Sequence, residues 1–289
     1  MSEGPLVSVD WLVARASDPR LRVVDVRHYL VGKRGLDAYL GGHIPGAVFV
    51  DLDHELAADP SRGPGRHPLP SADAFVATLS KLGIGEETIV VAYDDAGGAM
   101  ASRLWWLLRY FGRDGCRLLD GGIGAWTARG LPLETTTPTF AAAPPLSLCP
   151  GNAPVVDKAE VVRLASISRE GADVVLLDAR ARERYEGKSE PIDARAGHIP
   201  GARSAPFVES LVGPGGAFLP REALRSRFDA LGALSAKTVV CYCGSGVTAC
   251  HDLLVLSMLG RDDVALYEGS WSDWAKDFSL PLALGPDDA

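Results

Sequence analysis

The chain has 289 residues, of which 47% are hydrophobic and 23% charged, the balance of a folded globular protein long enough for two domains of ordinary size. Its formal net charge of −8 argues against nucleic acid or an anionic membrane as partner. No apolar run approaches the roughly 20 residues that cross a bilayer.

The start, Met-Ser-Glu-Gly-Pro, has neither a basic n-region nor an apolar h-region. The five cysteines follow no disulfide-framework spacing, so a reducing, cytoplasmic location is expected. In chain order, a short apolar strand Val23-Val-Asp-Val-Arg27 is followed by the turn Gly42-His-Ile-Pro-Gly-Ala47. Val50-Asp-Leu-Asp53 and the glycine- and proline-rich loop holding Gly65-Arg-His-Pro-Leu-Pro70 come next. Thr88-Ile-Val-Val91 reads as a strand and Ala101 to Phe111 as an amphipathic helix, in which Trp105 and Trp106 pack with leucines. Leu118 to Trp126 closes this half.

Residues 131–154 are rich in proline, with runs of threonine and alanine, and read as an extended linker. Beyond them the same blocks return in order, each displaced by about 150 residues. They are Leu176-Leu-Asp-Ala-Arg180, Gly197-His-Ile-Pro-Gly-Ala202, Thr238-Val-Val-Cys241 and Leu266 to Trp274. This is a duplication. The expected organisation is an N-terminal domain over 1–131, a linker over 132–154 and a C-terminal domain over 155–289. In each copy apolar strands alternate with amphipathic stretches such as Ala223 to Leu231, which predicts an α/β fold, a parallel sheet with helices on both faces. Ligands of such sheets bind outside the carboxyl ends of the strands. The blocks Asp25/Arg27 and Asp178/Arg180, and His43 and His198, occur in both copies and read as structural.

The chemistry concentrates in Cys241-Tyr-Cys243-Gly-Ser-Gly-Val-Thr-Ala-Cys250. Thr238 to Tyr242 reads as a buried strand, and a helix begins near Val247. Cys243 therefore lies in a tight strand-to-helix turn whose glycines let backbone N–H groups converge, beside a helix N-terminus. Such surroundings favour the nucleophilic thiolate. A phosphatase loop needs an arginine six residues after the cysteine, where this chain has Ala249. A metal site from Cys241, Cys243, Cys250 and His251 is disfavoured, because residues two apart on a strand face opposite ways. Cys116, Cys149, Cys241 and Cys250 read as core filler.

Paired domains with Asp-x-Arg, Gly-His-Ile-Pro-Gly-Ala, a Cys-centred loop and a closing Gly-Ser-Trp resemble the tandem-domain rhodanese sulfurtransferases over essentially the whole chain. The loop Cys243-Gly-Ser-Gly-Val-Thr-Ala249 is most similar to that of 3-mercaptopyruvate sulfurtransferases, whereas thiosulfate-preferring relatives carry an Arg-Lys pair after the cysteine. The resemblance implies that Cys243 is the nucleophile and sulfur carrier. The first copy, with Tyr93 to Asp95 in the cysteine's place, is then silent. It further implies a Ser245, His67 and Asp53 proton relay and a donor-binding set of Arg184 with Gly244, Gly246, Val247 and Thr248. A second substrate arginine normally follows Glu-Pro in these enzymes. Here Glu190-Pro-Ile-Asp-Ala-Arg195 departs from that pattern, leaving Arg195 from a shifted loop or a weakened carboxylate site. The expected function is transfer of sulfur from a small anionic donor, 3-mercaptopyruvate, to a thioredoxin-like protein, a low-molecular-weight thiol or cyanide, without metal or organic cofactor. A thiosulfate-using rhodanese and a non-enzymatic persulfide carrier are the alternatives.

Overall fold

A computed structural model describes residues 4–168, 173–213 and 215–286; the outermost ends of the two expected domains, 1–3 and 287–289, lie outside the described residues. The chain forms two compact units.

In the first unit, strands β1 (Leu6–Val7), β2 (Leu21–Asp25), β3 (Val48–Phe49), β4 (Ile89–Tyr93) and β5 (Cys116–Leu119) make one sheet in the order β1-β5-β4-β2-β3. Every pairing is parallel. Every residue of β2 is buried, which requires cover on both faces. The connections supply it through α1 (Val9–Val13), α2 (Gly35–Gly41), α3 (Leu52–Glu55), α4 (Ala72–Lys81), α5 (Ala101–Tyr110) and α6 (Gly122–Ala128). Local chemistry starts these helices where they start. The Ser71 hydroxyl, for example, accepts the Ala74 N–H at 3.3 Å and caps α4. Trp105 and Trp106 of α5 are buried packing residues.

The second unit repeats the plan. Strands β6 (Val155–Val156), β7 (Val174–Asp178), β8 (Ala202–Ser204), β9 (Thr238–Tyr242) and β10 (Ala265–Tyr267) lie in the order β6-β10-β9-β7-β8, all parallel. Its helices are α7 (Lys158–Ser168), α8 (Arg182–Tyr185), α9 (Arg221–Ala230), α10 (Ala249–Met258) and α11 (Ser270–Trp274). One side of the sheet packs Leu176, Val240, Tyr242 and Tyr267 against Val161, Trp271 and Trp274.

The division departs from the linear boundaries read in the sequence. The first unit comprises Met1–Ala58, Pro70–Asn152 and Leu211–Phe218, and the second Asp59–Leu69, Ala153–Ser210 and Leu219–Ala289. Most of the linker thus belongs to the first unit. Each copy also gives up a loop: 59–69 precedes α4 yet belongs to the second unit, while 211–218 precedes α9 yet belongs to the first. That exchange puts Arg66 and His67 in the same unit as Cys243.

The repeated blocks are structural, as read from their presence in both copies. Arg27 binds Asp25 and the Gly42 carbonyl, and Arg180 binds Asp178 and the Gly197 carbonyl. Each pair ties a strand end to the turn that follows. His43 and His198 stack on Tyr39 and Tyr185 with centroids 3.9 and 3.7 Å apart, each imidazole Nδ1 lying 2.8 Å from that tyrosine's carbonyl oxygen.

Candidate active site

Strand β9 ends at Tyr242, and Cys243 begins the turn into α10 with only 2% of its surface exposed. The turn closes on the thiol, as the Gly246 N–H points at Cys243 Sγ from 3.2 Å. Gly246 has φ +78°, and a methyl group there would lie 2.7 Å from the Glu268 carbonyl oxygen, so this position needs glycine on both counts.

A second segment braces the turn. The Cys243 N–H donates to Ser270 Oγ at 3.1 Å, and Ser270 Oγ donates to the Tyr267 carbonyl at 2.9 Å. Trp271 N–H binds the Cys243 carbonyl and Ser272 N–H the Gly244 carbonyl, both at 2.9 Å. Ser270 is the non-glycine residue with positive φ, +52°, among the described residues. Strain of that kind persists where the surroundings over-determine it, and here it aims the hydroxyl at the backbone of the cysteine. Ser270 and Ser272 were not singled out from the sequence, although the closing Gly-Ser-Trp block containing Ser270 was visible as a repeat.

The exchanged segment brings the remaining groups. Ser245 Oγ and His67 Nδ1 are 2.7 Å apart, and both residues are buried. The Arg66 N–H donates to Ser272 Oγ at 3.0 Å, which fixes the strap against the brace. A methyl group on Gly244 would lie 2.9 Å from Arg66 Nη2 and 3.5 Å from Arg184 Nη1. Two guanidinium groups therefore converge on the residue after Cys243. Arg66 was missed in the sequence because it lies far from Arg184 along the chain, and only its place beside His67 could have marked it.

Acidic residues hold both arginines. Arg184 donates to Glu190 through Nε at 3.1 Å and Nη2 at 2.7 Å, and to Asp193 Oδ2 at 2.9 Å. Arg66 Nη1 donates to Asp193 Oδ1. Burial raises the Glu190 carboxyl, but hydrogen bonds from Arg184 and the Asp193 and Ile192 N–H groups outweigh it and hold Glu190 below the ordinary value. Burial pushes the Asp193 carboxyl up, opposed by Arg66 and Arg184 and reinforced by Glu190.

Arg195 does not join this group. Its guanidinium donates to the carbonyls of Ala275, Leu280, Trp274 and Asp277 at 2.7–3.0 Å, which leaves the fork committed to holding the C-terminal segment. The expected donor-binding Arg195 is thus engaged here by backbone carbonyls. Val247 and Thr248 form the entry to α10, their carbonyls accepting from Cys250 and His251 N–H groups. Asp53 belongs to the first unit, 3.7 Å from His28 Nδ1. Its sequence neighbours have other work: Asp51 caps α3 and Asp59 binds Ser61.

The other cysteines divide by burial. Burial raises the Cys241 thiol well above its ordinary value and Cys116 to about 12, so both stay protonated. Cys250 is also buried, whereas Cys149 is exposed, contrary to its reading as core filler. In the first unit Asp94 follows β4 as Cys243 follows β9, and its carboxylate accepts N–H groups from Ala96, Gly98, Met100 and Ala101 at 2.7–2.9 Å. A fixed carboxylate fills the turn where the second unit carries a thiol.

With this geometry, the match of residues 8–129 and 162–277 to the rhodanese-like domain decides the assignment. The chain belongs to the rhodanese family. It is 44% identical, over 99% of this chain and 100% of the relative, to a probable 3-mercaptopyruvate sulfurtransferase of Pseudomonas aeruginosa. It is 40% identical to a putative thiosulfate sulfurtransferase, SseB, of Mycobacterium tuberculosis, covering 94% of this chain and 93% of that one. Its fold matches the crystal structure of SseA from Escherichia coli, described as a 3-mercaptopyruvate sulfotransferase with a rhodanese fold, at a TM-score of 0.80 and 31% identity, over 93% of this chain and all of that one. No helix among the described residues is long and apolar enough to cross a membrane.

Proposed function

We propose that this rhodanese-family protein moves sulfur from 3-mercaptopyruvate, through a persulfide on Cys243, to a thiol or cyanide, with release of pyruvate. The observation that carries the reading is the 2.7 Å contact between His67 and Ser245, the latter two residues after the cysteine. The Cys243 thiolate attacks the donor's thiol sulfur. An S–S bond forms, the donor's C–S bond breaks, and its electron pair leaves as pyruvate enolate. That carbon must gain a proton, which the Ser245 hydroxyl, backed by the His67 imidazole, is set to deliver. Asp53, which the family resemblance adds to the relay, belongs to the first unit, and no step here is routed through it.

Arg184 and Arg66 bind the donor's carboxylate, since planar guanidinium forks match its two oxygens. The Gly246 N–H stabilises negative charge on Cys243 Sγ as an oxyanion-hole donor does. The outer sulfur then passes to a soft nucleophile, the thiolate of a thioredoxin-like protein or of a low-molecular-weight thiol, or cyanide. The names of the Pseudomonas and Escherichia relatives support this donor.

Thiosulfate as the main donor is the second reading. It is favoured by the commitment of Arg195 to backbone carbonyls and by the name of the mycobacterial relative. The test is steady-state turnover with each donor, cyanide or a reducing thiol as acceptor, for wild type and Cys243→Ser. The proposal expects a higher kcat/KM for mercaptopyruvate that the substitution abolishes. A thiosulfate preference would transfer the assignment to the second reading.

A further inference from the structure

We infer that Asp193 is a charge filter for the donor, disfavouring dianionic donors against monoanionic ones. The inference rests on the proposed role of Arg66 and Arg184 in binding the donor's anionic end. Both guanidinium groups face Gly244, immediately after Cys243, and both are already engaged by one carboxylate, Asp193, whose Oδ1 accepts from Arg66 and Oδ2 from Arg184.

Neighbouring charges offer no surplus. Glu190 lies on Arg184 and, at 3.3 Å, on Arg180, which is itself paired with Asp178. The cluster thus balances the cations Arg66, Arg180 and Arg184 with the anions Asp178, Glu190 and Asp193. The Asp193 side chain is only 5% exposed, so water screens its charge weakly.

A donor with a single carboxylate brings one negative charge to this balanced set and can share the forks with Asp193. Thiosulfate brings a second charge, for which Arg66, Arg180 and Arg184, already matched by Asp178, Glu190 and Asp193, hold no surplus. Repulsion from Asp193 therefore falls more heavily on thiosulfate, by roughly one additional charge–charge interaction at short range in a medium of intermediate dielectric. Asp193 closes the stretch Glu190-Pro-Ile-Asp193, whose Glu190 and Asp193 both accept from Arg184. Specificity here is built from a repulsive element as well as attractive ones.

The test compares kcat/KM for 3-mercaptopyruvate and for thiosulfate, with cyanide as acceptor, in wild type, Asp193→Asn, Asp193→Glu and Arg184→Ala. Asp193→Asn keeps the shape and removes the charge. It is expected to raise the thiosulfate-to-mercaptopyruvate ratio by about tenfold or more, chiefly through a lower KM for thiosulfate. Asp193→Glu, which keeps the charge, is expected to hold the ratio near that of wild type. An unchanged ratio in Asp193→Asn, or an equal loss with both donors, would overturn the filter. Arg184→Ala separates the two claims. If it leaves kcat/KM for both donors unchanged, the donor-binding role of the arginines fails, whatever Asp193→Asn does.

Discussion

At the residue scale, Cys243 is held on three sides: Gly246 N–H on sulfur, Ser270 Oγ on its own N–H and Trp271 N–H on its carbonyl. Ser245 and His67 stand apart from that scaffold, which gives them a separable role. Ser245→Ala and His67→Gln should each lower turnover of mercaptopyruvate by about 10²- to 10⁴-fold, the usual worth of a positioned proton donor. Turnover of thiosulfate, whose leaving sulfite needs no proton on carbon, should change by far less. Equal losses with both donors in steady-state assays would contradict the relay. Gly246→Ala forces a side chain into a left-handed backbone and toward the Glu268 carbonyl. It should cost about 1–3 kcal/mol of stability and most of the activity, read by denaturant melts and assays on the same preparation.

At the element scale, the strand-to-helix turn was legible because its signals are local. An apolar run, two glycines and a new helical period lie within a dozen residues, and the turn stands where they predict it. The brace was not legible, since the hydrogen bonds from Ser270 Oγ to the Tyr267 carbonyl and from the Cys243 N–H to Ser270 Oγ depend on β10 lying beside β9. Helix α10 carries another feature that the sequence hid. Asp252 is fully buried, neither carboxylate oxygen has a hydrogen-bond partner, and burial, reinforced by Asp178 and Glu209 against Arg227, raises its carboxyl to about 7. The unfolded chain loses this proton near the ordinary aspartate value. Between that value and about 7 the folded protein holds a proton that the unfolded chain has lost, so stability falls as pH rises through this window. Asp252→Asn should therefore raise the melting temperature most near pH 8, with the gain fading toward about pH 4. A gain independent of pH, measured by calorimetry across that range, would contradict the raised Asp252 carboxyl in the folded state.

At the scale of the whole molecule, duplication was readable because four blocks recur in order, but the exchange of loops between copies was not. Nothing in Asp59–Leu69 itself says which unit it joins; the assignment depends on long-range contacts such as Arg66 N–H to Ser272 Oγ. The same distance concealed Arg66, and the crowding of carbonyls around Arg195 concealed that arginine's structural role. The exchange explains why the copy without a cysteine is needed: its strap supplies Arg66 and His67 to the unit with Cys243. Residues 153–289 produced alone should lack mercaptopyruvate turnover even where circular dichroism shows a folded sheet and helices, and full activity from that half would contradict the account. The central claim, that Cys243 carries the sulfur, is tested most directly by mixing the protein with 3-mercaptopyruvate and no acceptor, then measuring intact mass and released pyruvate. The account predicts a gain of one sulfur atom and one pyruvate per chain, both absent in Cys243→Ser. Pyruvate release without the mass gain, or the gain persisting in Cys243→Ser, would contradict it.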